Sequence, residues 1–295
     1  MADYIVLDIG GTKIAGALIR NNKIIKKIKL PTEAKSSPQR IIGNTKQTIN
    51  QLHHSKIKGI GVGIAGQVDQ RRGILVSSPN FTKQFKNIGL KKILETEFKK
   101  PTIIENDANC FALGEALFGG GKDKTNVIGL TLGTGIGGGI IINKKIYTGS
   151  QGMGGELGFM VIRPKNPIKN YRPKDSLEAY ASGTAMFSIY RTLSGHTLDP
   201  YTIEKKVRQH DKAAVKTMAT MSQALADGLS SIISIFNPDI IVLGGGLAEL
   251  NILIKPAIKE AKNQLPYHLL KKTKIVTAKL GDDAALFGAM ALLKK

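Results

Sequence analysis

The stretch TLGTGIGGGIII, Thr131–Ile142, sets glycine in the middle of an apolar run. It contains a G-x-G-x-x-G pattern at Gly133, Gly135 and Gly138. In a dinucleotide-binding fold the last glycine of that pattern opens a helix. Here the chain runs instead into β-branched Ile140, Ile141 and Ile142, then NKKIYTG at 143–149. That order predicts strand, turn, strand, with the glycines at the tip of a hairpin. The dinucleotide reading is excluded.

A second version of the device stands at the start of the chain, DYIVLDIGGTKIAGALI at 3–19. An apolar run again ends in a glycine turn with a threonine, Gly10-Gly11-Thr12, and apolar residues again resume in alternation. Each predicted tip offers backbone N–H groups and a Thr hydroxyl, a set that suits an anion and phosphate above all. One such hairpin is equally a plain tight turn. Two of them, each opening a set of strands, favour a two-domain phosphate clamp.

The chain has 295 residues, enough for two α/β domains with ample core, and 42% of them are hydrophobic. A single Cys forbids an intramolecular disulfide and fits a reducing compartment. No apolar run approaches the roughly 18 residues of a membrane span, and the N-terminus reads without a signal peptide. The cytoplasm is the expected location. The net charge of +21 raises a nucleic-acid reading. Lys far outnumbers Arg, however, and the lysines are scattered in pairs rather than gathered in one block. A lysine-rich solvated surface without a specific nucleic-acid partner is expected.

Strand-like runs lie at 4–9, 13–20, 23–30, 57–64, 101–105, 126–132, 137–142, 239–243 and 274–277. Helix-like runs lie at 38–53, 90–99, 108–118, 177–193, 213–236, 252–264 and 284–293. Three strands followed by alternating helices and strands occur twice, so each half predicts a mixed sheet flanked by helices. The expected division is 1–107 plus 281–295 for one domain and 108–280 for the other. Ligands in such sheets gather at strand ends, so both glycine hairpins should face one cleft.

ENDANCFALGE, 105–115, places Asn106 and Asp107 between an apolar strand and a helix. Asp107 there is either an N-cap or the acceptor of a proton from an attacking hydroxyl, as phosphoryl transfer requires. Asn80 follows a short strand, GILVSS, and can hold polyol hydroxyls or be an ordinary loop residue. Gly66, in GIAGQVD, lets a ligand approach the backbone. Glu156, in GGELGFM, is a candidate hydroxyl acceptor or a solvated loop acid. Glu178 stands early in a helix, where it can serve the helix dipole alone. Gly244, Gly245 and Gly246 end a strand and suit a flat ligand such as adenine, or an ordinary strand-to-helix turn. No Walker A motif is present.

In this order DIGGTK, GIAGQVD, PN, ENDANCFALGE, LTLGTGIGGGII, GGELGFM, LEAYASG, VLGGGLAE and GDDAALFGAMAL resemble the ROK family of sugar kinases and repressors. The resemblance spans nearly the whole chain. It implies the actin-like ATPase fold of hexokinases, an α/β architecture whose two mixed-sheet domains flank a cleft for Mg-ATP and a sugar. By the same resemblance Asp8, Gly10, Gly11, Thr12 and Lys13 match a first phosphate loop, with Asp8 near magnesium, through water. Gly133, Thr134, Gly135 and Gly137 match the second loop, and Gly244–Gly246 the adenosine loop. Asp107 matches the catalytic base. Asn80, Asn106, Glu156 and Glu178 match sugar ligands, and Gly66 lines the pocket.

The implied reaction moves the γ-phosphate to a hexose hydroxyl, the primary one on C6 in a glucokinase-like enzyme, in a protein expected to form a homodimer. Amino sugars, ketoses, β-glucosides and a polyphosphate donor stay open. A repressor would need a DNA-binding domain ahead of the first phosphate loop, which here already begins at Asp8.

The family's usual Glu-x-Gly-His motif and Cys-rich zinc segment are not matched. Phe159 stands at the His position, and 161–176 holds neither Cys nor His. No structural zinc is expected. Phe159 is expected to bury its ring, and Pro164, Pro167 and Pro173 to stiffen the loop.

Overall fold

The hairpin at 131–142 forms, but most of its glycines are not at the tip. A computed structural model of the chain describes residues 2–162, 168–171, 174–270 and 272–294. Its elements in chain order are β1 (Asp3–Ile9), β2 (Lys13–Arg20), β3 (Lys23–Pro31), α1 (Pro38–Asn50), β4 (Ile57–Ile64), β5 (Gln67–Asp69), β6 (Ile74–Ser77), α2 (Leu90–Phe98), β7 (Thr102–Asn106) and α3 (Asp107–Phe118). Then come β8 (Val127–Leu132), β9 (Ile136–Ile142), β10 (Lys145–Ile146), α4 (Leu177–Ala181), α5 (Gly183–Ser194), α6 (Pro200–Arg208) and α7 (Lys212–Phe236). The chain closes with β11 (Ile240–Gly244), α8 (Asn251–Asn263), α9 (Tyr267–Leu270), β12 (Lys274–Thr277) and α10 (Ala284–Leu292).

The two five-stranded sheets have the same plan. One runs β3-β2-β1-β4-β7 and the other β10-β9-β8-β11-β12. In each, an antiparallel hairpin pair is continued by parallel strands. The turn between the second and third strand is the same in both. Asn21 and Asn22 have φ of 50° and 60°, and Asn143 and Lys144 have 51° and 61°. Two consecutive left-handed residues match the right-handed twist of the flanking strands.

Central strands β1 and β4 are buried almost throughout, as expected of strands covered on both faces. Edge strand β3, KIIKKIKLP, carries lysine at 23, 26, 27 and 29, which guards the open edge against pairing with another chain. Between the sheets, α3 packs on β8 and β9 while α10 packs on β1, β4 and α3. Their crossing is close: a Cβ at Gly114 or Gly288 would collide with the backbone of the facing helix, at Ala284 and Cys110 respectively.

Two expectations are corrected. The single helix at 177–193 is broken at Ser182, which leaves α4 in extended geometry (φ −86°, ψ 169°) and caps α5 through Ala185 N, 3.1 Å away. The second is α6, which lies outside the expected helical runs. Its signal was present in Asp199-Pro200: Asp199 accepts from the N–H groups of Tyr201 and Thr202, and proline occupies the first helical position. Pro164, Pro167 and Pro173 lie outside the described residues.

Candidate active site

The two glycine hairpins meet across one cleft with two compartments. One, of about 520 Å³, is lined by Gly10, Gly11, Gly66, Asn80, Asn106, Gly133–Gly137, Glu156, Phe159 and Glu178. The other, of about 490 Å³, is lined by Asp8, Lys13, Lys27, Lys29, Tyr201, Gly244–Gly246 and Asp282. Asp107, Thr131 and Gly245 border both. A group on Asp107 therefore reaches molecules in either space.

The local structure separates the two readings of Asp107. Asn106 is the N-cap of α3, its Oδ1 accepting from Asn109 N at 2.9 Å. Asp107 follows as the first helical residue. Its Oδ1 accepts from Ala108 N at 2.9 Å and from Asn106 Nδ2 at 3.2 Å. Burial pushes its carboxyl up to about 6 against the backbone N–H groups of Ala108 and of Asp107 itself, and the charge of Glu156 adds to the rise. Asn106 Nδ2 also donates to Gly66 O at 2.9 Å, so much of the amide is engaged within the protein. It locks the glycine turn after β4 to the start of α3.

The first tip is tied down by Gly10 N–H to Lys13 O (3.0 Å) and by the Thr32 hydroxyl to Gly10 O (2.7 Å). Gly11 and Thr12 stay exposed, and Asn80 lies against Gly11. Asp8, on β1 below this tip, is pushed up to about 7 by burial and by Asp107, with Lys13 and Lys27 pulling the other way. Lys13 Nζ lies 3.5 Å from Asp282 and Lys29 Nζ 3.9 Å, while Lys27 pairs with Asp283. Lys27 and Lys29 stand two apart on β3, so a period of two puts them on one face.

The second tip is docked on the start of α5. Gly183 N donates to Gly133 O at 2.8 Å, and the Thr184 hydroxyl to Thr134 O at 2.9 Å. Glu178 Oε2 accepts from Ile136 N at 2.8 Å, so it braces the loop as well as lining the compartment. Gly137 lies inside β9, where a Cβ would sit 2.6 Å from the Thr131 hydroxyl. Gly245 takes φ +82° with its backbone pressed on Leu132.

Glu156 is exposed and accepts from Gln67, and its carboxyl is pushed up by partial burial and by Glu178. Phe159 departs from expectation: it is 62% exposed and lines the larger compartment, with Asn80 and Glu156. The cause is the single 3-10 turn at Leu157–Phe159. Leu157 and Gly158 take its inward positions, Gly158 packed so tightly on Ile136 that no Cβ fits, and Phe159 is thrown outward.

Several site residues escape the sequence reading. Glu105, 1% exposed, accepts from Asn106 N at 2.8 Å and Asn109 Nδ2 at 3.1 Å and so supports the Asn106–Asp107 corner from below. A charged residue ending an apolar strand was its only signal. Gln67, Thr131, Lys27, Lys29 and Asp282 carried none beyond their neighbourhood to a glycine turn or a strand edge.

Magnesium implied by the fold family suits this donor set. Mg²⁺ takes one or two carboxylates and completes its shell with water and phosphate, and Asp8 is a half-buried carboxylate raised by desolvation and by a like charge, which a cation would relieve. Among the described residues no group of three or more His, Cys, Asp or Glu side chains is gathered as a metal cluster, and no helix is long and apolar enough to cross a membrane.

Known proteins are similar to this one along nearly the whole chain. A glucokinase from Thermotoga maritima is 32% identical over 306 residues, covering 98% of this chain and 96% of the relative. An N-acetyl-D-glucosamine kinase from Histophilus somni is 33% identical over 307 residues, covering 98% of each. In structure, a ROK family glucokinase from Streptomyces griseus in complex with glucose and AMPPNP superposes with a TM-score of 0.81 at 28% identity, over 99% of both chains. The ROK family model matches residues 4–295, and the chain belongs to the ROK family.

Proposed function

We propose that the protein is an ATP-dependent sugar kinase that transfers the γ-phosphate to a hexose hydroxyl, the C6 hydroxyl in a glucokinase-like reaction. The observation that carries this reading is Asp107, a carboxyl raised to about 6 at the place where the two compartments meet. A base of that strength is ionised at neutral pH and still accepts a proton well. The sugar lies in the compartment of Asn80, Asn106, Glu156 and Glu178, with Gly66 and Phe159 on its walls. ATP lies in the other, its adenosine at Gly244–Gly246 and its phosphates near Lys13, Lys27 and Lys29, the γ-phosphate reaching past Asp107 toward the Gly10–Gly11 and Gly133–Gly135 turns that line the sugar compartment.

Asp107 orients the sugar hydroxyl and takes its proton as the oxygen attacks phosphorus in line with the departing ADP oxygen. The lysines and N–H groups balance charge on the phosphate oxygens. Magnesium held by Asp8 through water would supply further charge neutralisation on the phosphates. The lobes are 1–107 with 281–295, and 108–280.

The test is ADP release from purified protein with Mg-ATP and a panel of glucose, N-acetylglucosamine, N-acetylmannosamine, fructose and β-glucosides. Sugar-dependent ADP formation is expected. Sugar binding without ADP release from any of them would overturn the kinase reading in favour of a sugar sensor.

A further inference from the structure

Two aromatic side chains line the nucleotide-side compartment, Phe111, buried in α3, and Tyr201, which is exposed and lies outside every motif. Tyr201 is the second residue of α6, and its side chain is 66% exposed where it lines this space. Its backbone is fixed, because Tyr201 N donates to Asp199 Oδ1 at 3.0 Å and Ile203, two residues on, is fully buried in the core of the same half. The same compartment is lined by the backbone of Gly244–Gly246, by Ala248 and Ala278, and by the polar side chains of Glu249 and Thr277. Above Gly246 the space is open: a Cβ built there would meet nothing within 4 Å. Lys13, Lys27 and Lys29 line the same compartment and suit phosphate, beside the carboxylates Asp8, Asp107, Glu249 and Asp282. A ring, flat glycine backbone and two methyls together suit a planar aromatic group, whereas a linear polyphosphate has no part that would use them.

Building on the kinase reading, we propose that Tyr201 stacks on the base of a nucleoside triphosphate and makes the phosphate donor a nucleotide rather than a linear polyphosphate. Aromatic rings stack on any nucleobase through its π-face, and truncating such a ring weakens binding by about five- to a hundredfold.

The experiment is calorimetric binding of AMPPNP and of tripolyphosphate to the wild type, Tyr201→Ala and Tyr201→Phe, with KM for ATP and for the best sugar alongside. Tyr201→Ala should weaken AMPPNP and raise KM for ATP by about five- to a hundredfold. Tripolyphosphate binding and KM for sugar should stay within about twofold, and Tyr201→Phe should behave as wild type. Wild-type AMPPNP binding that is unchanged in Tyr201→Ala would overturn the inference alone. So would an equal loss of tripolyphosphate and AMPPNP binding. A wild type that neither binds AMPPNP nor turns over ATP would overturn the kinase reading and this inference with it.

Discussion

Where β2 carries Ala15, Gly16 and Ala17, the matching positions of β9 carry Gly137, Gly138 and Gly139. The match is fixed from the tips, since Ile9 pairs with Ile14 and Leu132 with Ile136. Strand order and turn chemistry are shared by the two halves, but the covering helix differs in place. In the first half α10 lies over β1 and β4, and the strand that gives way is β4, whose Gly61 meets the Ala289 backbone. In the second half α3 lies over β8 and β9, and the room comes from Gly129 and Gly139, both against Ala112. At Gly61, Gly129 and Gly139 glycine marks where a helix presses closest. Because Asp107 opens α3, the glycines of the second sheet set the position of the proposed base, which follows the last strand of the first.

The largest effect is expected from removing the base. Asp107→Asn should lower turnover by about 100- to 10,000-fold while sugar binding persists. The same variant should melt at a higher temperature. The folded carboxyl lies above its ordinary value, at about 6, so its ionisation opposes folding at neutral pH and the penalty fades as the pH falls. Near-normal turnover, or a lower Tm, would break the assignment.

The pH profile comes next. Below about pH 6 kcat/KM should fall by about tenfold per pH unit as Asp107 takes up a proton. Glu156→Gln should move that limb to lower pH, because the Glu156 charge raises Asp107. A limb that stays in place would remove Glu156 from the electrostatics of the base, whatever its effect on sugar KM.

The glycine comparison is tested by exchange between the halves. Gly139→Ala places a methyl 2.5 Å from Ala112 Cβ and 2.7 Å from Ala108 O. It should cost about 1–3 kcal/mol by overpacking and lower kcat as α3 shifts. The reverse change at the matching position, Ala17→Gly, should cost about 1 kcal/mol and leave kcat intact. Equal kcat in the two variants, measured with their denaturation midpoints, would break the link between glycine packing and the base.

The smallest effect concerns β3. Lys29 is half-exposed and shares Asp282 with Lys13, so Lys29→Ala should raise KM for ATP by about two- to fivefold, and less at high salt. A salt-independent rise would point to lost packing instead.

The sequence by itself determined both hairpins, the repeat of strands and helices, and the corner at Asn106-Asp107. These rest on local rules, namely apolar alternation, left-handed turn residues and a cap before a helix, and a few neighbouring residues are enough to read them. It also held signals for α6 and for the cap at Ser182 that compete with the surrounding helical periodicity.

Tertiary structure alone decided what the glycines are for. Gly133 and Gly135 form the tip, while Gly137–Gly139 lie within the strand, Gly139 making room for a helix 20 to 30 residues earlier in the chain. It also turned Phe159 outward, gave Glu178 a backbone N–H to hold, and gathered Lys13, Lys27, Lys29 and Asp282 round one space. Each of these depends on which surfaces meet across the chain. Close approach between helix and sheet is a property of the pair, and neither partner's own sequence records the distance.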